Sequence, residues 1–355
     1  MVWRCRMSMA DRRDNPVPYE LEPLAPREAV ELYMDHREPE LSKKTLQNHR
    51  YRLESFVEWC DQEEIDNLNE LSGRDLHRYR VWRGRDVNTV TLRGQLATLR
   101  VFLEFCADID GVTPGLRERV KLPNVTANEE ARDRLLDDDR AEALLEYLET
   151  YRRASREHVI IAVLWHTGIR LGSLRAVDLD DYDNDPEEAS LWIRHRPDTG
   201  TPLKNGHAAE RPISLDEKYA EVIDDYIRLH RPDVEDDHGR RPLIASDRGR
   251  LSEGQIRADV YQVTQPCVVG ECPHDREKES CEYRTYGRYS ECPSSLSPHS
   301  IRRGSLTYQL RRGVPEEIVS DRCNVSRDVL DQHYDRRTDR EKMEQRREFL
   351  DKLDL

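Results

Sequence analysis

Lysine is scarce in this chain. Eight of its 57 basic residues are lysine and the remainder arginine. Long apolar runs are missing too: no stretch approaches the roughly 18 residues that a bilayer-spanning helix requires, so no membrane span is read. Hydrophobic residues reach only 36%, no more than the charged ones. Apolar residues nevertheless recur at helical spacing, which argues against global disorder. Met1–Asp14 is polar and Arg-rich, with no apolar segment of signal-peptide length. Residues 1–20 are therefore expected to be a disordered tail, with Met7 or Met9 as alternative start codons. The expected location is cytoplasmic.

Net positive charge is also lacking. The balance is −14, which argues against a nucleic-acid partner if charge is spread evenly. It is not. Ser42–Arg52 carries Lys43, Lys44, Arg50 and Arg52 and no acid, and Arg74–Arg100 carries seven arginines against Asp75 and Asp86. Lys43, Lys44, Arg50, Arg83 and Arg85 are the candidate DNA contacts; solvated helix faces are the plain alternative. Acid-rich, Lys-poor composition resembles that of proteins from extreme halophiles, whose acidic surfaces keep them soluble in concentrated salt. In strong salt, screening shrinks to about 3 Å, so DNA contacts would have to be short and local. The expectation is a clamp with both basic islands on its inner face, opposite the second domain.

Four helices are read before residue 110: Pro26–Asp35, one capped by Ser42, one capped by Ser72, and one capped by Asn88 with Leu92, Leu96, Leu99, Phe102, Leu103 and Cys106 as its apolar stripe. They make a small helical bundle over 21–110. Residues 111–134, with Pro114, Gly115 and Pro123, read as a linker. A second domain spans 135–355. Ala141–Tyr151 is amphipathic, and Glu157–His166 is apolar nearly all round and so central, ending at Gly168. Strands at Ser190–Arg194 and Arg211–Leu215 flank a turn-rich connection. Helices follow at Asp216–Leu229, Ser252–Val263, Ser300–Arg312, Pro315–Arg322, Arg327–His333 and Asp339–Leu353. The fold class is mainly α, with a small antiparallel sheet in the second domain.

Four of the eight cysteines cluster, as Cys267-x4-Cys272-x8-Cys281-x10-Cys292, with His274 inside, in an insert at 264–296. In a cytosolic chain this spacing points to structural zinc before disulfides; paired disulfides and free thiols stay open, as does His274 in place of one Cys.

Three short motifs carry chemistry. Thr167-Gly168-Ile169-Arg170 ends the central helix on an arginine. Pro298-His299-Ser300-Ile301-Arg302 opens a helix with His299 and Arg302 on one face. His333-Tyr334-Asp335 follows a short helix near the C-terminus. Taken alone, each has an ordinary structural reading. Together, in this order and with Lys204 in Leu203-Lys204-Asn205-Gly206, they resemble the tyrosine recombinase (integrase) family from about Pro26 onward. That resemblance implies a SAM-like core-binding domain followed by a catalytic domain, and cutting and rejoining of double-stranded DNA by subunits that assemble as tetramers on paired sites. It makes Tyr334 the nucleophile of a 3′-phosphotyrosyl intermediate. Arg170 and Arg302 would grip the nonbridging oxygens, Lys204 protonate the 5′-oxygen and His299 assist, with no metal or other cofactor in the cutting step. Two positions depart from the pattern. Ser173 stands where the family usually carries an acid, and Arg322 is the best match to a position that is usually His or Trp. These departures keep a second class in view, a catalytically idle DNA-binding or regulatory protein. A type IB topoisomerase-like enzyme shares the chemistry. A zinc transcription factor leaves the Arg/Lys/His/Arg/Tyr set unexplained.

Overall fold

The computed structural model describes residues 20–125, 134–185, 188–335 and 337–347. The chain divides into two units, Met1–Arg132 and Asp133–Leu355. It is mainly helical with a small antiparallel sheet. Among the described residues no helix is long and apolar enough to cross a membrane. The tail read at 1–20 lies almost wholly outside the described residues.

Helices α1 (Pro26–Arg37), α2 (Lys43–Gln62), α3 (Gly73–Arg83) and α4 (Thr89–Asp108) build the first unit. Their starts follow from side chains that satisfy orphan amides. Ser42 accepts from the Thr45 N–H and Asn88 from the Thr91 N–H. Asp75 accepts from both the Ser72 N–H and its hydroxyl. The faces so aligned bury Leu53, Phe56, Trp59, Tyr79, Leu96, Leu99 and Phe102. Phe56 meets Tyr79 edge-on at 5.2 Å, and the Tyr79 hydroxyl finds Ser55 at 3.0 Å. Each large apolar side chain buried here contributes about 1.5–3 kcal/mol. The segment read as a linker begins inside this core, not outside it. Val112, Leu116 and Val120 are buried there, around a short 3-10 turn at Leu116–Arg119. A single turn leaves too little periodicity to announce that burial.

In the second unit, α5 (Asp138–Tyr151) and α6 (Arg156–Thr167) come first. From His158 onward α6 is buried at every position except His166. A helix apolar all round must be covered on all sides, and α5, α8 (Glu217–Leu229), α9 (Glu253–Val263) and α11 (Pro298–Arg311) pack around it. Gly304 on α11 makes the closest approach: a Cβ there would overlap the Leu136 carbonyl and the Trp165 ring. Strands β1 (Tyr182–Asp183), β2 (Ser190–Ile193) and β3 (Arg211–Ser214) form an antiparallel sheet in that order, with Leu191 opposite Ile213. A two-stranded ribbon, β4 (Ala245–Ser246) with β5 (Gly249–Arg250), stands apart from it. Helix α7 (Leu171–Ala176), helix α10 (Pro266–Val269), β1 and this ribbon escape sequence reading because each is too short to show a period. Helices α12 (Glu316–Cys323), α13 (Arg327–His333) and α14 (Asp339–Arg347) follow, the last described up to Arg347. The end of α11, with α12 and α13, encloses a separate small core of Leu306, Leu310, Val319, Cys323, Leu330 and Tyr334.

One buried and one half-buried imidazole make this unit acid-sensitive. Burial pushes the pKa of both His158 and His166 down to about 4, helped by Arg153 at the first and Arg322 at the second. Both are neutral in the fold but protonate near pH 6.5 once unfolded. Their stabilising contribution is intact above pH 6.5 and is lost as pH falls toward 4, by up to about 3 kcal/mol each. Thermal melting at pH 7 and pH 5 checks this. The drop between the two should shrink in His158→Gln; an unchanged drop would rule His158 out as a contributor.

Candidate active site

The site is organised by one turn. Helix α6 ends where Gly168 adopts φ +62°, and a Cβ there would collide with Leu306, Cys323 and Ser305. Only glycine combines that left-handed backbone with so little room. The turn sets Arg170 at the N-terminus of α7, half-buried. It also points the Gly168 carbonyl at Arg302, whose Nη1 donates to it at 2.6 Å and to the Cys323 carbonyl at 2.8 Å. Arg302 is 2% exposed, and among the described residues its buried Nη2 has no hydrogen-bond partner. A buried guanidinium N–H left unpaired costs on the order of 1–3 kcal/mol, so this donor is held ready for an acceptor from outside.

Tyr334 closes α13 with its N–H on the Leu330 carbonyl at 2.9 Å, and its own carbonyl accepts from the Thr307 hydroxyl at 2.8 Å. Its ring is buried, 5.8 Å from the Arg302 guanidinium and 6.1 Å from the His299 ring. Ser297 caps α11, which places His299 one turn ahead of Arg302. Partial desolvation lowers the His299 pKa, and the charges of Arg302, Arg303, Arg170 and Lys204 lower it further. The imidazole is thus held neutral at pH 7. Lys204 is exposed in the β2–β3 connection, close enough to be felt at His299.

Arg211, at the start of β3, joins this group. Its Nε donates to the Arg322 carbonyl at 2.8 Å and its Nη1 to the Ala209 carbonyl at 2.7 Å. Arg211 and Arg302 therefore hold consecutive carbonyls at the end of α12. Desolvation, with repulsion from Arg302 and Arg170, brings the Arg211 pKa to about 10, although Cys323 and Asp321 pull the other way. Sequence reading missed this residue. The available signal was strand alternation, which puts Arg211 on the same face as buried Ile213.

Arg322 is engaged elsewhere. Its Nη1 donates to the Ser214 carbonyl at 3.0 Å and its Nη2 to the His166 Nε2 at 3.1 Å. Ser173, the other departure, is buried in α7. The structure thus brings Arg170, His299, Arg302 and Tyr334 together, sets Lys204 at the rim, adds Arg211, and commits Arg322 to protein acceptors.

The candidate DNA contacts fare unevenly. Lys43, Lys44 and Arg85 are exposed. Arg50 forms a two-pronged pair with Glu31 of α1, and Arg83 turns inward to Gln95 at 2.9 Å. An island without acids in sequence is not free of them in space, because α1 packs beside α2.

The insert is pinched shut at its base, where the Thr264 hydroxyl and the Leu296 backbone bond each other. Arg140 reaches across to the Thr264 and Ser294 carbonyls. Cys267 and Cys292 are buried, Cys272 and Cys281 half-buried, and His274 pairs with the Ser294 hydroxyl at 3.0 Å. Zinc needs four donors on one tetrahedron. Among the described residues no three of these five donors lie within 4.8 Å of one another, so this arrangement does not gather the expected zinc site.

Comparison with known proteins agrees with this geometry. Residues 32–108 match the family model for the phage integrase N-terminal SAM-like domain. The tyrosine recombinase XerC of Staphylococcus saprophyticus is 24% identical over 295 residues, 81% of this chain and 84% of that protein. Among solved structures, the Tn1549 transposon integrase in complex with a circular intermediate DNA aligns with a TM-score of 0.62 at 12% identity, over 90% of this chain and 99% of that one. A lambda integrase dimer bound to a COC′ core site gives 0.62 at 13% identity, over 90% and 97%. A lambda integrase tetramer bound to a Holliday junction gives 0.60 at 12% identity, over 90% and 83%. The chain thus carries a segment that matches the phage integrase N-terminal SAM-like domain, and its fold is similar to that of tyrosine recombinases and phage integrases.

Proposed function

We propose that this protein is a site-specific DNA recombinase that cuts and rejoins duplex DNA through a covalent bond to Tyr334. One observation carries the reading. Arg170, Arg211 and Arg302 lie close enough to repel one another, with Arg302 5.8 Å from a buried tyrosine ring, and among the described residues none of the three has a carboxylate partner. The buried Arg250 side chain of the same unit is, by contrast, paired with Asp178 and Asp236. Three clustered guanidiniums without an acid repel one another and call for an anion. A phosphodiester supplies it, and its trigonal-bipyramidal transition state carries more charge for them to hold.

The tyrosine oxygen attacks phosphorus, the P–Oη bond forms and the P–O5′ bond breaks. The tyrosyl proton leaves through His299, whose neutral ring can take it. Lys204 gives a proton to the departing 5′-oxygen. The phosphotyrosyl bond conserves the energy of the broken ester, so rejoining needs no nucleotide cofactor. Duplex DNA as partner, and tetramers on paired sites, belong to the same proposal; the integrases solved on DNA support them.

Tyr334→Phe keeps the ring and removes the oxygen. On a nicked suicide substrate it should bind normally and form no covalent adduct; an adduct formed at the wild-type rate refutes the nucleophile. It also separates a recombinase from an idle DNA-binding protein, since only the former gives an adduct with the wild type.

Arg170→Ala should slow cleavage by roughly 10²–10³-fold with little loss of affinity. Arg170 is the cleaner test, because Arg302→Ala also releases the Gly168 and Cys323 carbonyls. Equal losses of rate and affinity would make Arg170 an ordinary phosphate anchor.

For the first unit, Lys43, Lys44 and Arg85 reversed together to Glu should weaken duplex binding and flatten its salt dependence, with circular dichroism unchanged. Unaltered affinity across the salt series would mark them as solvated residues.

A further inference from the structure

The residue after the tyrosine has a role that motif reading left blank. The Asp335 side chain is 0% exposed, an unusual place for a carboxylate. Burial works to raise its pKa, but hydrogen bonds from Arg337 and Lys342 outweigh this and leave it far below the usual carboxylate range. Arg337 donates from Nε to Oδ1 at 2.8 Å, from its backbone N–H to Oδ1 at 3.0 Å, and from Nη2 to Oδ2 at 2.7 Å. Lys342 on α14 reaches Oδ2 at 2.8 Å. The same Arg337 Nη2 bridges to Glu316 at the start of α12, at 2.5 Å. Glu316, Asp331 and Asp335 lie close enough together to suggest a cation site. Arg337 and Lys342 already supply the positive charge, so no metal is invoked.

The effect falls on Tyr334. Its N–H and that of Asp335 both end on the Leu330 carbonyl, at 2.9 and 2.8 Å. Its carbonyl is taken by Thr307 on α11. The peptide carrying the tyrosine is therefore tied to α11 and α13 on one side, and through Asp335 to α12 and α14 on the other. We infer that Asp335 is a positioning residue that fixes the direction of the Tyr334 ring toward Arg302 and His299, with Arg337 as the hinge pin between it and Glu316. This rests on Tyr334 being the nucleophile. The physical reason is geometric: a displacement near 1 Å in a reacting group costs about 10²-fold in rate, and a short side chain adjacent in sequence is the nearest lever on the tyrosine backbone.

The test is single-turnover covalent capture on a nicked duplex, with DNA affinity and thermal melting measured in parallel. Asp335→Asn removes the charge and keeps the shape. It should slow capture by about 10²-fold while affinity stays within about threefold, and Asp335→Glu should recover part of the rate. A spectroscopic readout separates positioning from general loosening. In protein labelled with 3-fluorotyrosine, the Tyr334 resonance, identified by its absence in Tyr334→Phe, should broaden or split in Asp335→Asn while the other resonances hold. Asp335→Asn that captures DNA at the wild-type rate overturns the inference, as does an unchanged Tyr334 resonance. If Asp335→Asn does not fold, the half-exposed partners decide: Lys342→Gln and Glu316→Gln should each slow capture several-fold, and wild-type rates in both overturn it. An adduct formed by Tyr334→Phe would instead sink the nucleophile assignment itself.

Discussion

The second unit depends on the buried guanidinium of Arg302. Two of its hydrogen bonds are spent on backbone carbonyls, Gly168 at the end of α6 and Cys323 at the end of α12. It thereby joins the turn that carries Arg170 to the helix that precedes the tyrosine. Both acceptors lie at helix C-termini, where unpaired carbonyls leave partial negative charge, and that charge makes burial of an unpaired cation tolerable. The remaining Nη2 is left for a ligand. One side chain thus holds the fold around the site and faces whatever enters it, and the two duties cannot be separated by deleting it.

Charge is managed differently at the site and away from it. Asp178, Asp181 and Asp236 meet Arg196, Arg240 and Arg250 in a partly buried network at the base of the β2–β3 connection. There planar forks meet carboxylates and the books balance locally. At Arg170, Arg211 and Arg302 they do not. The same residue type, drawn from the same Arg-rich composition, is a structural bolt in one place and an anion trap in the other. What distinguishes them is the presence or absence of an acid within reach.

Much of this was legible in the sequence where it rested on period or on local capping. The caps at Ser42 and Asn88, the buried α6, and the pairing of the strands around residues 190 and 211 all follow from patterns within a dozen residues. The ends of Arg170, His299, Arg302 and Tyr334 could be placed together only through resemblance, because Tyr334 lies 32 residues beyond Arg302 and Arg170 more than a hundred before it. Arg211 was hidden because its role depends on the carbonyl of Arg322, and Asp335 because its partners Arg337 and Lys342 look like ordinary surface basics. Arg50 shows the converse failure: one of four cations in a stretch without acids, it is paired by Glu31 from the helix before. In the insert, cysteine spacing alone says nothing about whether the thiols converge.

The tip of the β2–β3 connection sets how Lys204 can move. Thr201 is bridged to Arg196, with N–H to carbonyl distances of 3.2 and 3.0 Å, and the Leu203 N–H is held by the His195 ring at 2.9 Å. Directly after Lys204, Asn205 and Gly206 both take left-handed backbone angles, φ 79° and 58°. The lysine is therefore the first residue inside a tight reversal, directly after the anchored Leu203, whose carbonyl accepts from the Gly206 N–H at 3.1 Å. Its ammonium explores space by rotating its own four-carbon stem, a search of staggered wells completed in nanoseconds. In the proposed reaction the acid is therefore present at a high and nearly constant local concentration, and its arrival is not a step that limits turnover.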